Sequence, residues 1–376
     1  MPDFLRKTAS SVLWSLCRLL PVRKNKVVFC SLGGRGFGEN PKAIALALLE
    51  KNRDLDLVWL TRHTDIPLPE GIRPCRYGSP RAVMELSTAA VWVGDSRGGA
   101  KYKKKSQRYL QTWHGFALKH IERSAKNLPA HYIAQCKRDS AQIDLLLSGS
   151  RFMTRVCRED FWYDGEIAEF GSPRNDVFFR QTDAGERVRA FYGLPADRQL
   201  LLYAPTFRDN GSTDCYNMDP KAVLRACEGR FGGRWSALLR LHPNAAKLSA
   251  GLFPYNGDTI VDATSYPDMQ ELLQAADLLI TDYSSSMFDY ALSGRPVLRF
   301  AADIREYQAE RGFYFPLESL PFPLAESSDS LCRLVERFDA DAQQQAWDAF
   351  REENGFCEDG KASQRCADWI LRQLKG

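Results

Sequence analysis

The sequence predicts an α/β protein of parallel sheets covered by helices on both faces, divided into two domains. Three observations lead there. The chain has 376 residues, more than one typical domain. Short apolar runs alternate with segments of helical pattern, as they do where parallel strands are joined by helices. The alternation occurs in two successive series of comparable length.

The first series opens with KVVFCSL (26–32), followed by a glycine-rich loop and the helical NPKAIALALLEKN. DLVWL (56–60), AVWVG (90–94), RYLQTW (108–113) and IDLLLS (143–148) continue it. The second series comprises QLLLYAP (199–205), SALLRLHP (236–243), DTIVDA (258–263), DLLITD (277–282) and PVLRF (296–300). The junction is expected within 180–198. The expected organisation is an amphipathic basic helix over 1–25, one Rossmann-like domain over 26–185, a second facing it over 186–345, and a helical segment over 346–376. Ligands of open α/β sheets bind beyond the carboxyl ends of the strands, so function is sought there.

Composition excludes several classes. With 44% hydrophobic and 26% charged residues the chain is of ordinary globular type, and a net charge of +4 does not argue for nucleic acid. The ten cysteines are scattered without a CxxC pair, which points to reduced thiols rather than a disulfide or zinc framework. No apolar run is long enough to span a membrane. The N-terminal stretch carries Phe4, Leu5, Val12, Leu13, Trp14, Leu16, Leu19 and Leu20 beside Arg6, Lys7, Arg18, Arg23, Lys24 and Lys26. Arg18 and Pro21 argue against a signal peptide. It reads either as a helix lying on anionic lipid or as one packed on its own domain. KYKKKSQR (101–108) reads as a solvated face, with lipid-headgroup contact as the alternative.

Five strand ends are chemically loaded. QTWHG puts His114 after a strand with Gly115 beside it; histidine titrates near neutrality and glycine admits close approach. The other reading is a capping histidine. GSPRND places Arg174 in a turn, either to grip a phosphate or to pair with Asp176. APTFR ends a buried strand with Pro205 and Thr206, and Arg208 as a possible counter-charge. RLHP sets Arg240 and His242 on one face, two residues apart. In TDYSSSMFD one serine suffices to cap the following helix. The spare hydroxyls suit phosphate, and Asp289 lies on the same helix face as Ser285. The loop GGRGFGEN (33–40) does not fit a dinucleotide fingerprint and reads as an acceptor-side loop.

Taken in order, TWHG, GSPRND, YAPTFR, RLHP and TDYSSSMFD resemble the CDP-glycerol glycerophosphotransferase family of teichoic acid and capsule synthesis. ENPKAIA, DATSYPDMQELLQAADLLITD and EDGKASQR extend the resemblance over about residues 26–366. It implies a GT-B architecture, transfer of glycerol phosphate from CDP-glycerol or a similar CDP-alditol to an undecaprenyl-type lipid-linked saccharide, and release of CMP. It further implies a peripheral position on an anionic membrane surface at the cytoplasmic face of a bacterial cell. No Asp/Glu cluster in the sequence demands a metal, and no nucleic acid or cofactor is expected beside the CDP-alditol donor. The essential histidines correspond to His114 and His242. Donor contacts correspond to Trp113, Gly115, Phe116, Ala117, Arg174, Pro205, Thr206, Arg240, Leu241, Ser284, Ser285 and Asp289. The sequence departs from the family's Thr-Pro after HG, where Phe116-Ala117 stands. The short N-terminal extension favours single addition over polymerisation. A GT-B glycosyltransferase or epimerase using a sugar nucleotide is the alternative, and a non-catalytic membrane scaffold the third reading.

Overall fold

The computed structural model describes residues 11–98, 102–208, 213–242, 245 and 249–375. The expectations placed on Phe4 to Lys7, on Lys101 and on Pro243 lie outside the described residues.

The chain forms two units: Met1–His114 with Asn127–Asp176 and Phe356–Gly376, and Gly115–Lys126 with Val177–Gly355. Unit 1 holds β1 (Arg23–Cys30), β2 (Asp56–Thr61), β3 (Ile72–Arg76), β4 (Ala89–Gly94), β5 (Arg108–Gln111), β6 (Leu145–Ser148) and β7 (Ile167–Glu169). They form one sheet in the order β3-β2-β1-β4-β5-β6-β7, with every neighbouring pair parallel. Consecutive Val27, Val28 and Phe29 are all buried, as a strand covered on both faces requires. Unit 2 holds β8 (Arg198–Tyr203), β9 (Arg234–Leu239), β10 (Ile260–Asp262), β11 (Leu278–Thr281), β12 (Val297–Phe300) and β13 (Leu324–Ala325). Its order, β10-β9-β8-β11-β12-β13, is again fully parallel. Each sheet therefore reverses its winding beside its first strand, the Rossmann arrangement.

Strands β3, β7 and β13 are additional to the sequence reading. β3 carries Pro74 and is an edge strand, where a missing N–H is tolerated. β7 and β13 are only three and two residues long and also lie at edges.

The expected boundaries need correction in four places. Among the described residues the helix expected over 1–25 ends at Cys17, and Arg23 already begins β1. The chain passes to unit 2 after Asp176 rather than near residue 185. Residues 115–126, expected in the first domain, belong to unit 2. There the His120 amide donates to the Gly312 carbonyl at 2.8 Å and the Tyr314 amide to that of Leu118 at 3.0 Å. Gly312 is required at this contact, since a Cβ would lie 2.2 Å from the His120 ring. Finally, 346–376 is not one segment. Helix Ala340–Asn354 packs Trp347 and Phe350 on Phe288 in unit 2, whereas helix Ala362–Lys375 buries Cys366, Ala367, Trp369 and Ile370 in the core of unit 1.

The N-terminal helix is packed on its domain and also keeps an exposed apolar row. Trp14 stacks on Tyr102 at 4.6 Å and touches Trp92, and Cys17 is buried. On the same stretch Leu16 and Leu19 are 60% and 83% exposed. None of the ten cysteines forms a disulfide.

Candidate active site

Where winding reverses, loops leaving adjacent strands diverge and strand-end amides lose their ladder partners. Each sheet answers with a buried aspartate at the end of its fourth strand. Asp95, after β4, accepts from Ser31 Oγ, the Leu32 amide and Ser96 Oγ, each at 2.7 Å. Asp282, after β11, accepts from the Thr206 amide at 2.9 Å and the Tyr283 amide at 2.6 Å. It also faces Arg208 Nη1 at 2.9 Å. Sequence reasoning assigned no role to either residue. Their signal was a carboxylate directly after an apolar strand, in VGDS and ITDY.

His114 follows β5. Its Nδ1 lies 2.7 Å from the Asp95 carbonyl. A carbonyl only accepts, so Nδ1 carries the proton and Nε2 presents a lone pair. The preceding Trp113 has φ +51, a costly conformation for a bulky residue, and Gly115 has φ +130. Several bonds hold this bend in place. The Trp113 amide donates to Gln111 Oε1 at 3.0 Å, and its carbonyl accepts from Asn40 Nδ2 and Thr112 Oγ1, both at 3.0 Å. The Trp113 ring stacks on His114 at 4.1 Å and meets the edge of Phe161.

Asn40 is the hub of unit 1. Buried at the start of helix Glu39–Lys51, it also accepts the Arg174 amide at 3.0 Å. Arg174 is buried and pairs with Glu39, not with Asp176. Asp176 instead caps helix Ala362–Lys375, accepting from the Ala362 amide at 3.0 Å and the Ser363 amide at 2.7 Å. Glu358 accepts the Ser172 amide at 3.0 Å. These bonds explain why ENPKAIA, PRND and EDGKASQR occur together: they brace one another.

In unit 2, Arg208 is structural rather than available as a counter-charge. It is 3% exposed, bonds Asp303 at 2.5 and 3.0 Å, and stacks over Tyr283 and Tyr307. Burial opposes its charge, but Asp303 and Asp282 outweigh that and hold it protonated. Thr206 Oγ1 is buried and has no hydrogen-bond partner among the described residues. Arg240 Nη1 donates to the Tyr266 carbonyl at 2.7 Å. His242 is exposed just after β9, with Phe207 5.7 Å away, while Leu241 is buried and offers only its backbone.

The serine run differs from expectation in one detail. Helix Ser286–Ala291 has Ser285 at its N-cap, yet that hydroxyl makes no capping bond. Ser284 Oγ takes the Ser286 amide at 3.3 Å and pairs with Ser286 Oγ at 2.9 Å. Asp289 is buried. Phe116, expected to meet donor, is buried against Phe288 at 4.5 Å and Phe315 at 5.8 Å; Ala117 is buried beside it. Their side chains are packing, which leaves backbone alone for a substrate. Lys119 sits instead by the stacked Tyr283 and Tyr307, its Nζ 3.3 Å from Tyr307 Oη, and burial pushes its pKa down to about 8.

Residues 12–372 match the family described as CDP-Glycerol:Poly(glycerophosphate) glycerophosphotransferase. The chain belongs to this family. A teichoic acid poly(glycerol phosphate) polymerase of Staphylococcus epidermidis is 33% identical over 375 residues, covering 94% of this chain and 51% of the relative. The chain thus spans about half the length of that relative. A teichoic acid glycerol-phosphate transferase of Staphylococcus aureus is 28% identical, with 93% of each chain covered. The solved structure of the wall teichoic acid polymerase TagF superposes with a TM-score of 0.84 at 30% identity, covering 99% of this chain and 97% of that one. The architecture of this glycerophosphotransferase family member is accordingly GT-B-like.

Proposed function

We propose that this chain transfers glycerol phosphate from CDP-glycerol to a hydroxyl of a lipid-linked saccharide, releasing CMP. The observation that carries the reading is His114, whose Nδ1–H is held by the Asp95 carbonyl so that Nε2 is the basic nitrogen. In the proposed reaction Nε2 takes the acceptor hydroxyl's proton as its oxygen attacks the β-phosphorus. His242, Arg240, Ser285 and the buried Thr206 hydroxyl stabilise the charge that develops on the bridging oxygen as its bond to the β-phosphorus breaks and CMP leaves. Asp289 orients donor or acceptor, and Arg174, paired with Glu39, positions the loop rather than the phosphate. The reading asks for no cofactor beyond the donor.

Glycerol phosphate is preferred to ribitol phosphate because the relatives sharing 33% and 28% identity are glycerol-phosphate enzymes by name. We propose addition of a single unit as the version to test. We also propose a peripheral place on anionic lipid. The exposed Val12, Leu16, Leu19 and Leu20 lie on a stretch that includes Arg18, beside Lys104, whose Nζ bonds the Leu20 carbonyl at 2.5 Å.

The test supplies CDP-glycerol, CDP-ribitol and UDP-sugars separately with a lipid-disaccharide acceptor and measures nucleotide release and product mass. CMP release from CDP-glycerol, with product heavier by one glycerol phosphate, is expected. A ladder of masses would replace single addition by polymerisation. Release from UDP-sugars alone would overturn the reading.

A further inference from the structure

PVLRF (296–300) is a buried apolar strand with one residue out of character. In β12, Leu298 and Phe300 enter the core of unit 2, so alternation turns Arg299 to the opposite face. Arg299 is nonetheless only 2% exposed. Its amide donates to the Pro323 carbonyl at 2.8 Å and its Nε to the Phe322 carbonyl at 2.9 Å. Among the described residues nothing bonds its Nη1 or Nη2, and no carboxylate forms an ion pair with it. The other buried cations are all paired: Lys26 with Glu85, Arg174 with Glu39, and Arg208 with Asp282 and Asp303. At Arg208 burial opposes the charge, and Asp303 and Asp282 outweigh it. At Arg299 burial prevails and pulls the pKa down to about 10. A cation taken out of water calls for an opposite charge, and the chain supplies none here.

Arg299 lines a groove of about 570 Å³ that lies within unit 2 and that the proposed reaction does not use. Clefts for small organic ligands enclose roughly 300–1,000 Å³, so the size fits one. Leu320, Phe322, Leu334 and Phe338 give the groove apolar walls. Ala342 and Ala346 of helix Ala340–Asn354 add small side chains on one side. Three further charges line it. Glu318 is exposed and acts on Arg299 without pairing to it. Asp339 is committed to capping, accepting the Ala342 amide at 2.9 Å. Arg337 is exposed and makes no ion pair among the described residues. The groove thus offers an apolar body a seat and holds, among its buried residues, a fixed guanidinium with donors to spare. That planar fork matches the two oxygens of a carboxylate. One buried positive charge balances one negative charge, and a dianion would carry a second, unpaired one in with it.

We propose that this groove binds a small organic carboxylate with an apolar body, its two oxygens on Nη1 and Nη2 of Arg299. The site is separate from the glycerol-phosphate reaction and stands or falls independently of that reading. Phenylacetate is titrated calorimetrically into the full chain. Phenylethanol (the same body without charge), acetate (the charge without the body) and phenyl phosphate are titrated beside it. Saturable binding of one phenylacetate per chain is expected, with the other three at least tenfold weaker. Arg299→Met removes the cation from an apolar strand and should weaken phenylacetate binding at least tenfold. Ala342→Phe narrows the groove from an exposed position and should do the same without touching the core. In both variants the melting temperature should not fall and CDP-glycerol affinity should hold. As a check that needs no variant, bound phenylacetate should slow amide exchange over 318–325 in the native chain. No saturable binding, equal affinity for phenylethanol, tighter binding of phenyl phosphate, or unchanged affinity in Arg299→Met overturns the proposal.

Discussion

Asn40→Ala tests whether the His114 loop is held by the hub beneath it. The amide side chain makes three bonds: Nδ2 to the Trp113 carbonyl at 3.0 Å, Nδ2 to the Thr112 carbonyl at 3.3 Å, and Oδ1 from the Arg174 amide at 3.0 Å. The residue is 1% exposed, so water does not replace them easily. At about 1 kcal/mol net for each bond the loss is about 3 kcal/mol, with the orphaned Arg174 amide pushing it upward. Trp113 holds φ +51 against a conformational cost of about 1–3 kcal/mol, so the lost bonds are comparable to what keeps the bend in place. The loop should relax and His114 should lose its aim. Urea unfolding should show the stability loss, and CMP release under saturating CDP-glycerol should fall about 10–100-fold, the scale on which a misplaced catalytic group acts. KM for donor should change less than kcat, since Asn40's bonds go to Thr112, Trp113 and Arg174 and none goes to the proposed phosphate-stabilising residues Thr206, Arg240, His242 and Ser285. A stable variant with kcat within twofold of the native value would refute the reasoning.

Three further outcomes are expected. Asp282→Asn puts an amide beside buried Arg208 and should cost about 2–4 kcal/mol in chemical unfolding, the lower part of the range because Asp303 still neutralises the guanidinium; a change under about 0.5 kcal/mol would contradict this. Lys119 has its folded pKa near 8 against an ordinary 10.5, so the native state sheds its proton first and stability should rise with pH between those values. Lys119→Met should therefore stabilise the chain at pH 7 by up to about 3 kcal/mol, with the gain shrinking toward pH 10; a gain independent of pH would rule out the titration as its cause. Leu16→Glu should weaken binding to anionic liposomes at least tenfold with turnover on a soluble acceptor unchanged, and undiminished liposome binding would move the docking surface elsewhere.

The two parallel sheets were legible because VVF, AVWV and LLI are buried on both faces and read as unbroken apolar runs. The three unexpected strands were not, since β3 carries Pro74 and β7 and β13 are too short for any periodicity. At the site, His114 and the serine run announced themselves by chemistry at a strand end. Asp95, Asp282 and Asn40 did not, because each has decisive partners 60 or more residues away, brought to it only by the strand order. The same reason hid Arg208. As a cation near a strand end it looked available, and only the fold brings Asp282 and Asp303 against it. The resemblance placed Phe116 among the donor contacts, but the chain enters unit 2 at Gly115 and the Phe116 ring joins an aromatic cluster there.

The central claim is that His114 is the base of alditol-phosphate transfer. His114→Ala should abolish CMP release from CDP-glycerol in the presence of acceptor, while the Kd for CDP-glycerol stays within a few-fold of native. Native-like CMP release by a folded His114→Ala chain would contradict the account.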